Sequence, residues 1–159
     1  MNKIMRDYYP MFEEYQALRN KLMEILDDLD LSFRPSERNL TLGALCREIG
    51  EIQVAYIRSF QTFKSDFSYR YEDAITLEGS VAELKTWYTE LDSKLKAVVS
   101  ELSDKDIEAK EVEHGGYNFS LQFQLNVYAE ALIIFSGKVS IYLKAMSKDI
   151  PKQWQDWIG

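Results

Sequence analysis

Apolar residues return along this chain at alternating intervals of three and four, in four separate stretches. Met11, Tyr15, Leu18, Leu22, Ile25 and Leu29 make the first stripe, and Leu42, Leu45, Ile49, Ile52 and Tyr56 the second. Val81, Leu84, Tyr88, Leu91, Leu95, Val98 and Leu102 make the third. Leu121, Leu125, Tyr128, Leu132, Phe135, Val139, Tyr142 and Met146 make the fourth. A mean repeat of about 3.5 falls just short of the natural helical period, so helices carrying it pack at about 20° with a left-handed twist. The pattern predicts an all-α protein, a four-helix bundle.

Local signals set the boundaries. Pro10 suits the first turn of helix one, where a missing N–H costs nothing. Thr41 is the predicted N-cap of helix two, its hydroxyl accepting an orphan backbone N–H. Ser80 with Glu83 reads as a capping box opening helix three. Ser120 or Asn118 caps helix four, and Pro151 stops it. The expected spans are 8–30, 41–63, 80–102 and 120–147.

Residues 64–79 lack a helical stripe. Extended, they reach about 50 Å, whereas a second helix of about 23 residues is only about 35 Å long. This crossover can therefore run the length of the bundle and let helices two and three lie parallel, giving an up-down-down-up arrangement. Its alternating aromatics Phe67, Tyr69 and Tyr71 suggest an extended strap packed on the helices. The second long connection, 103–119, contains Asp104, Asp106, Glu108, Glu111 and Glu113, then His114 and the turn pair Gly115-Gly116. With no repeat and no interdomain linker, residues 1–159 read as a single domain.

Composition narrows the classes. The chain has 159 residues, 46% hydrophobic, enough for a core and against disorder. A net charge of −7 argues against nucleic-acid binding. No run of apolar residues is long enough to span a membrane. The N-terminal MNKIMRDYYP has no apolar core, so no signal peptide is expected. The lone cysteine, Cys46, excludes an intrachain disulfide. A cytoplasmic protein is the expectation.

Catalytic patterns are scarce. One histidine cannot build a three-histidine metal centre. The sequence has no nucleophile elbow, Walker A loop or dinucleotide fingerprint. Cys46, beside the second stripe, reads as a small buried hydrophobe, and His114 as a solvated loop histidine. Glu48 flanks the second stripe, with Glu51 expected further out. Glu130 lies off the fourth stripe. A buried carboxylate would need a partner, with Arg47, Arg58, Lys138 and Asn126 the candidates in sequence. Trp154 and Trp157 suit a cap over an open end of the bundle or an interface.

The stretch Thr41-Leu42-Gly43-Ala44-Leu45-Cys46-Arg47-Glu48-Ile49-Gly50-Glu51 resembles the T-L-G-x-L-x-x-H-I-x-E segment of DinB-like proteins. Phe135-Ser136-Gly137-Lys138-Val139-Ser140, then Tyr142-Leu143-Lys144-Ala145-Met146 and Pro151-x-x-Trp154, is similar to that family's H-R-G-Q-x-S-x-Y-L-R-x-x-G…P-x-x-W ending. The resemblance implies an up-down-down-up bundle, frequent dimers and, in many members, one divalent metal on three histidines. Some members transfer low-molecular-weight thiols activated by that metal. By this alignment the metal positions are Glu48, Ala131 and Phe135, so the resemblance supports the fold and not the metal.

The expectation is a DinB-like bundle without metal or other cofactor, acting as a binding or interaction protein. Its pocket candidates are Glu48, Asn126, Glu130 and His114, with a small-molecule ligand between helices two and four. One alternative is a thiol-dependent transferase or hydrolase using Glu48 and Glu130. The other is a stress-related dimerisation or structural protein, a homodimer whose face Met23, Ile57 and Phe60 would supply, these residues fitting the ordinary core of a bundle equally well.

Overall fold

Each of the four stripes forms a long helix. The computed structural model describes residues 1–158, with side chains through residue 156. In chain order the elements are α1 (Lys3–Asp7), α2 (Tyr9–Ile25), α3 (Leu42–Thr62), α4 (Ala74–Glu78) and α5 (Val81–Glu101). They continue with α6 (Asp104–Ala109), β1 (Glu111–Glu113), β2 (Asn118–Ser120), α7 (Leu121–Ala145) and α8 (Lys152–Ile158). The protein is mostly helical. α3 packs on α5 and α7, and α2 packs on the same two helices. The buried apolar residues of all four form a contiguous core.

The predicted N-cap side chains are in place, but the capping box expected at Ser80 is not completed. Ser80 N–H bonds the Leu77 carbonyl rather than Glu83, and the reciprocal pair forms at Ser103 and Asp106 before α6. Oγ1 of Thr41 accepts from Ala44 N–H, Oγ of Ser80 from Glu83 N–H, and Oγ of Ser120 from Phe123 N–H. α7 ends with Ser147 in the left-handed region (φ 56°), and Lys148 N–H bonds back to the Leu143 carbonyl at 2.9 Å. That is a Schellman closure made without glycine.

Helix one starts where expected, with Pro10 in its first turn, but a separate short helix precedes it and it ends early. Pro10 lacks an N–H and crowds the carbonyl four residues back, so the chain breaks at Tyr8 and a separate α1 precedes α2. At the other end α2 stops at Ile25 rather than 30. The Asp27 carboxylate accepts from the N–H groups of Leu29 and Asp30, an alternative to helical bonding that turns the chain. Leu29 is therefore 84% exposed, and Met11 is 57% exposed. The face that α2 buries is set instead by Phe12, Leu18, Arg19, Leu22 and Met23.

Both long connections contain regular structure that carries no stripe. Residues 64–71 carry no helix, with Tyr69 and Tyr71 half-buried against the helices, and after a turn at 72–73 comes α4 with Leu77 buried. The fold is also not purely helical. β1 and β2 pair antiparallel, Val112 opposite Phe119, around Gly115 and Gly116, both at positive φ. Lys64 bridges to Glu113, so the start of the strap extends this hairpin. Met23, Ile57 and Phe60 are 4%, 7% and 1% exposed. They belong to the core and supply no subunit face. None of the described helices is long and apolar enough to cross a membrane.

Candidate functional site

α3 supplies most of the chemistry that the sequence singled out. Leu42, Leu45 and Ile49 face the core and fix the helix's rotation, which brings Glu48 to the boundary with α7. Glu48 is half-buried. With Leu45, Ile49 and Ile52 it lines a cavity of about 130 Å³. The opposite wall is α7, through Ala131, Ile134, Phe135 and Lys138. The three positions aligned with the family's metal ligands thus meet around one cavity. Ala131 presents a methyl group and Phe135 a ring, neither of which can donate to a metal.

On its other side Glu48 borders a wider depression of about 340 Å³ between α3 and the strap, lined also by Arg47, Glu51, Phe67 and Arg70. Here the sequence expectation for Glu51 is overturned. Glu51 is the buried carboxylate, 7% exposed, because the strap closes over it. Its Oε1 accepts from Arg47 Nη1 at 2.5 Å and from Tyr71 N–H at 2.8 Å. Arg47 Nε also donates to Glu78 at 2.6 Å. Burial opposes the Arg47 charge, and its bonds to Glu78 and Glu51 more than offset this, holding its pKa above the ordinary value. Glu51 thereby fastens the strap to α3, and Arg47 fastens α4.

The remaining candidates lie elsewhere. Asn126 and Glu130 line a cavity of about 360 Å³ between α7 and the α1–α2 corner, with Met11 and Tyr8. His114 is half-buried at the hairpin. Its ring lies 4.3 Å from that of Phe119, and its Nε2 is 2.7 Å from Gln124 Oε1. Buried Gln124 donates through Nε2 to Ser59 Oγ, so its Oε1 is left to accept and His114 Nε2 carries a proton. His114 pins the hairpin to α7 and α3. Cys46 is fully buried, and burial pushes its thiol up to about 12. Thirteen residues separate it from Ser59 along α3, about 20 Å, so Cys46 and His114 form no pair. Among the described residues no three His, Cys, Asp or Glu side chains gather as a metal site.

Trp154 is fully buried and its indole N–H donates to the Leu18 carbonyl at 3.0 Å, closing one end of the core. The side chain of Trp157 lies outside the described residues.

One polar cluster escaped the sequence reading. Arg19, fully buried, donates through Nη2 to both oxygens of Asp92 at 2.8 Å and through Nη1 to Gln53 at 2.5 Å. Gln16, Asn20 and Gln53 also bond Asp92. The Arg19 guanidinium lies 4.0 Å from the Tyr88 ring centroid. Burial disfavours the Arg19 charge, and Asp92 overcomes that and raises its pKa. The only trace in sequence is the i, i+3 pair Gln16 and Arg19, polar residues bracketing the buried Leu18.

No protein-family model matches the chain, and the curated proteins give no match. Among solved structures it is similar to the DinB-like protein YjoA from Bacillus subtilis. The TM-score is 0.69 at 14% identity, over 87% of this chain and 91% of that one. The resemblance read from helices two and four thus extends to the backbone of nearly the whole molecule, and the chain carries the fold of a DinB-like protein.

Proposed function

We propose that this protein is a DinB-like bundle that binds a small ligand or a partner beside Glu48, without catalysis by a bound metal. One observation carries the reading. The cavity where the resemblance puts three histidines is lined instead by Glu48, Ala131 and Phe135. Zinc and nickel favour imidazole and thiolate, and one carboxylate is a poor substitute. The residues do not fit the metal. Phe135, 3% exposed, occupies the space with apolar bulk. Against the carboxylate-based transferase stands the separation of its two groups, since Glu48 and Glu130 line different cavities.

Metal content measures this directly. Tag-free protein purified without chelator is expected to carry less than about 0.1 metal per chain, and a value near one overturns the reading. Glu48→His alone leaves the protein metal-free, whereas Glu48→His, Ala131→His and Phe135→His together gain about one zinc per chain. Zinc uptake by the single variant would disprove the assignment of these three positions.

The same reading includes one domain, a left-handed twist and helices α2, α3, α5 and α7 running up, down, down, up. Tyr88 meeting Cys46 and Asp92 meeting Gln53 support α5 running alongside α3. Tyr128 stacked on Tyr56, with Tyr142 reaching Leu40, supports α7 running against it. The net charge of −7 and the single buried thiol fit a cytoplasmic protein that does not bind nucleic acid. A homodimer is favoured by α7, where Phe123, Ile133, Ile134 and Ile141 are 45–60% exposed. Several large apolar side chains exposed along one helix are what an interaction surface offers. Light scattering is expected to give the mass of two chains, and Ile134→Glu with Ile141→Glu that of one. A monomeric parent chain would remove the dimer.

A further inference from the structure

Another face of α3 borders a second groove, shared with α5 and crossed by the strap. It has a volume of about 480 Å³. Ile57, Trp87 and Leu91 form its floor, and they are 7%, 8% and 3% exposed. A side chain at Gly50 would collide with the Trp87 ring, so the bare backbone there seats the indole against α3. Tyr71 packs edge-on against the same indole, with ring centroids 4.9 Å apart.

The charges at the rim go against the rest of the molecule. The chain carries −7, yet the charged residues lining this groove are Arg58 and Lys94, with no carboxylate among its lining residues. Arg58 is exposed and held over the Tyr69 ring at 4.8 Å. Asp66, the acid that feels its charge, is bonded within its own turn to Ser68 N–H. Among the described residues Lys94 makes no ion pair. An apolar floor rewards removing hydrocarbon from water. Two cations beside that floor favour an anionic head, and the attraction strengthens where water is partly excluded.

We propose that this groove binds a small organic anion with an apolar body. The body lies over Trp87 and Leu91, and the carboxylate or sulfonate head lies between Arg58 and Lys94. The site is separate from the cavity at Glu48, and either can fail without the other.

Calorimetric titration of the full chain with decanoate at low salt tests this, with decyltrimethylammonium as the probe of equal length and opposite charge. Decanoate is expected to bind one per chain. Affinity should fall about tenfold in Lys94→Gln and further in Arg58→Gln/Lys94→Gln. Lys85→Gln removes the same charge from α5 outside the groove and should leave binding unchanged. Ala97→Trp, which fills the groove from an exposed position, should abolish it. Lys94→Gln alone keeps the test valid if loss of the Arg58–Tyr69 contact loosens the strap. Ammonium binding as tight as decanoate, full affinity in the double variant, or no decanoate binding below about 1 mM would each overturn the proposal.

Discussion

Arg19 brings a full charge into the middle of the bundle and is accommodated because Asp92 meets it with both oxygens. Breaking such a pair from one side leaves an uncompensated buried charge. Asp92→Asn is therefore expected to lower stability by about 3 kcal/mol in urea unfolding followed by circular dichroism. A loss under about 0.5 kcal/mol, the scale of a surface substitution, would mean that the pair contributes little. Other residues were legible beforehand. The position of Cys46 beside the second stripe makes it a small buried hydrophobe, and it is fully buried. Helical spacing points Glu51 outward, yet it is buried. Only the strap, arriving from twenty residues later in the chain, buries it and gives it the Tyr71 N–H. Likewise Arg19 looks like any surface arginine until α3 and α5 close around it.

At the level of elements, the starts of helices were easier to read than their ends. An N-cap is a local event between a side chain and an N–H two or three residues on, so Thr41, Ser80 and Ser120 could be named from sequence. Thr41→Ala removes the bond to Ala44 N–H and should cost about 1 kcal/mol, with Thr41→Ser retaining most of it. Equal stability of parent and alanine variants would show that packing alone defines the start of α3. The end of α2 is not legible in the spacing, because Leu29 continues the apolar stripe while the Asp27 carboxylate gives the backbone bonds outside the helix. The hairpin was invisible for another reason. Its strands are three residues each, too short for a period of two to register, and they are held by pairing with the residues just after α3.

Across the whole molecule, tyrosine burial shapes the response to alkaline pH. Burial pushes Tyr56 up to about 12 and raises Tyr9, Tyr88 and Tyr128 as well, alongside Cys46. A raised pKa in the folded state means that the unfolded chain releases these protons first. The stability they contribute is fully present below the unfolded values, 9.0 for the thiol and 10.0 for the phenols. It is lost as pH climbs toward 12, each group costing at most about 1.4 kcal/mol per pH unit. The urea midpoint should hold steady to pH 8.5 and fall steeply above pH 9.5. A midpoint unchanged at pH 11 would contradict the burial of these phenols. Sequence by itself determined the four long helices, their caps and the resemblance to DinB-like proteins, because periodicity and capping are encoded within a few residues of where they act. Tertiary structure alone decided which carboxylate is buried, that Glu130 lies outside the cavity where Glu48, Ala131 and Phe135 meet, and where two cations flank an apolar groove. Those outcomes depend on which helix faces meet and where the strap lies, and residues far apart in the chain fix both.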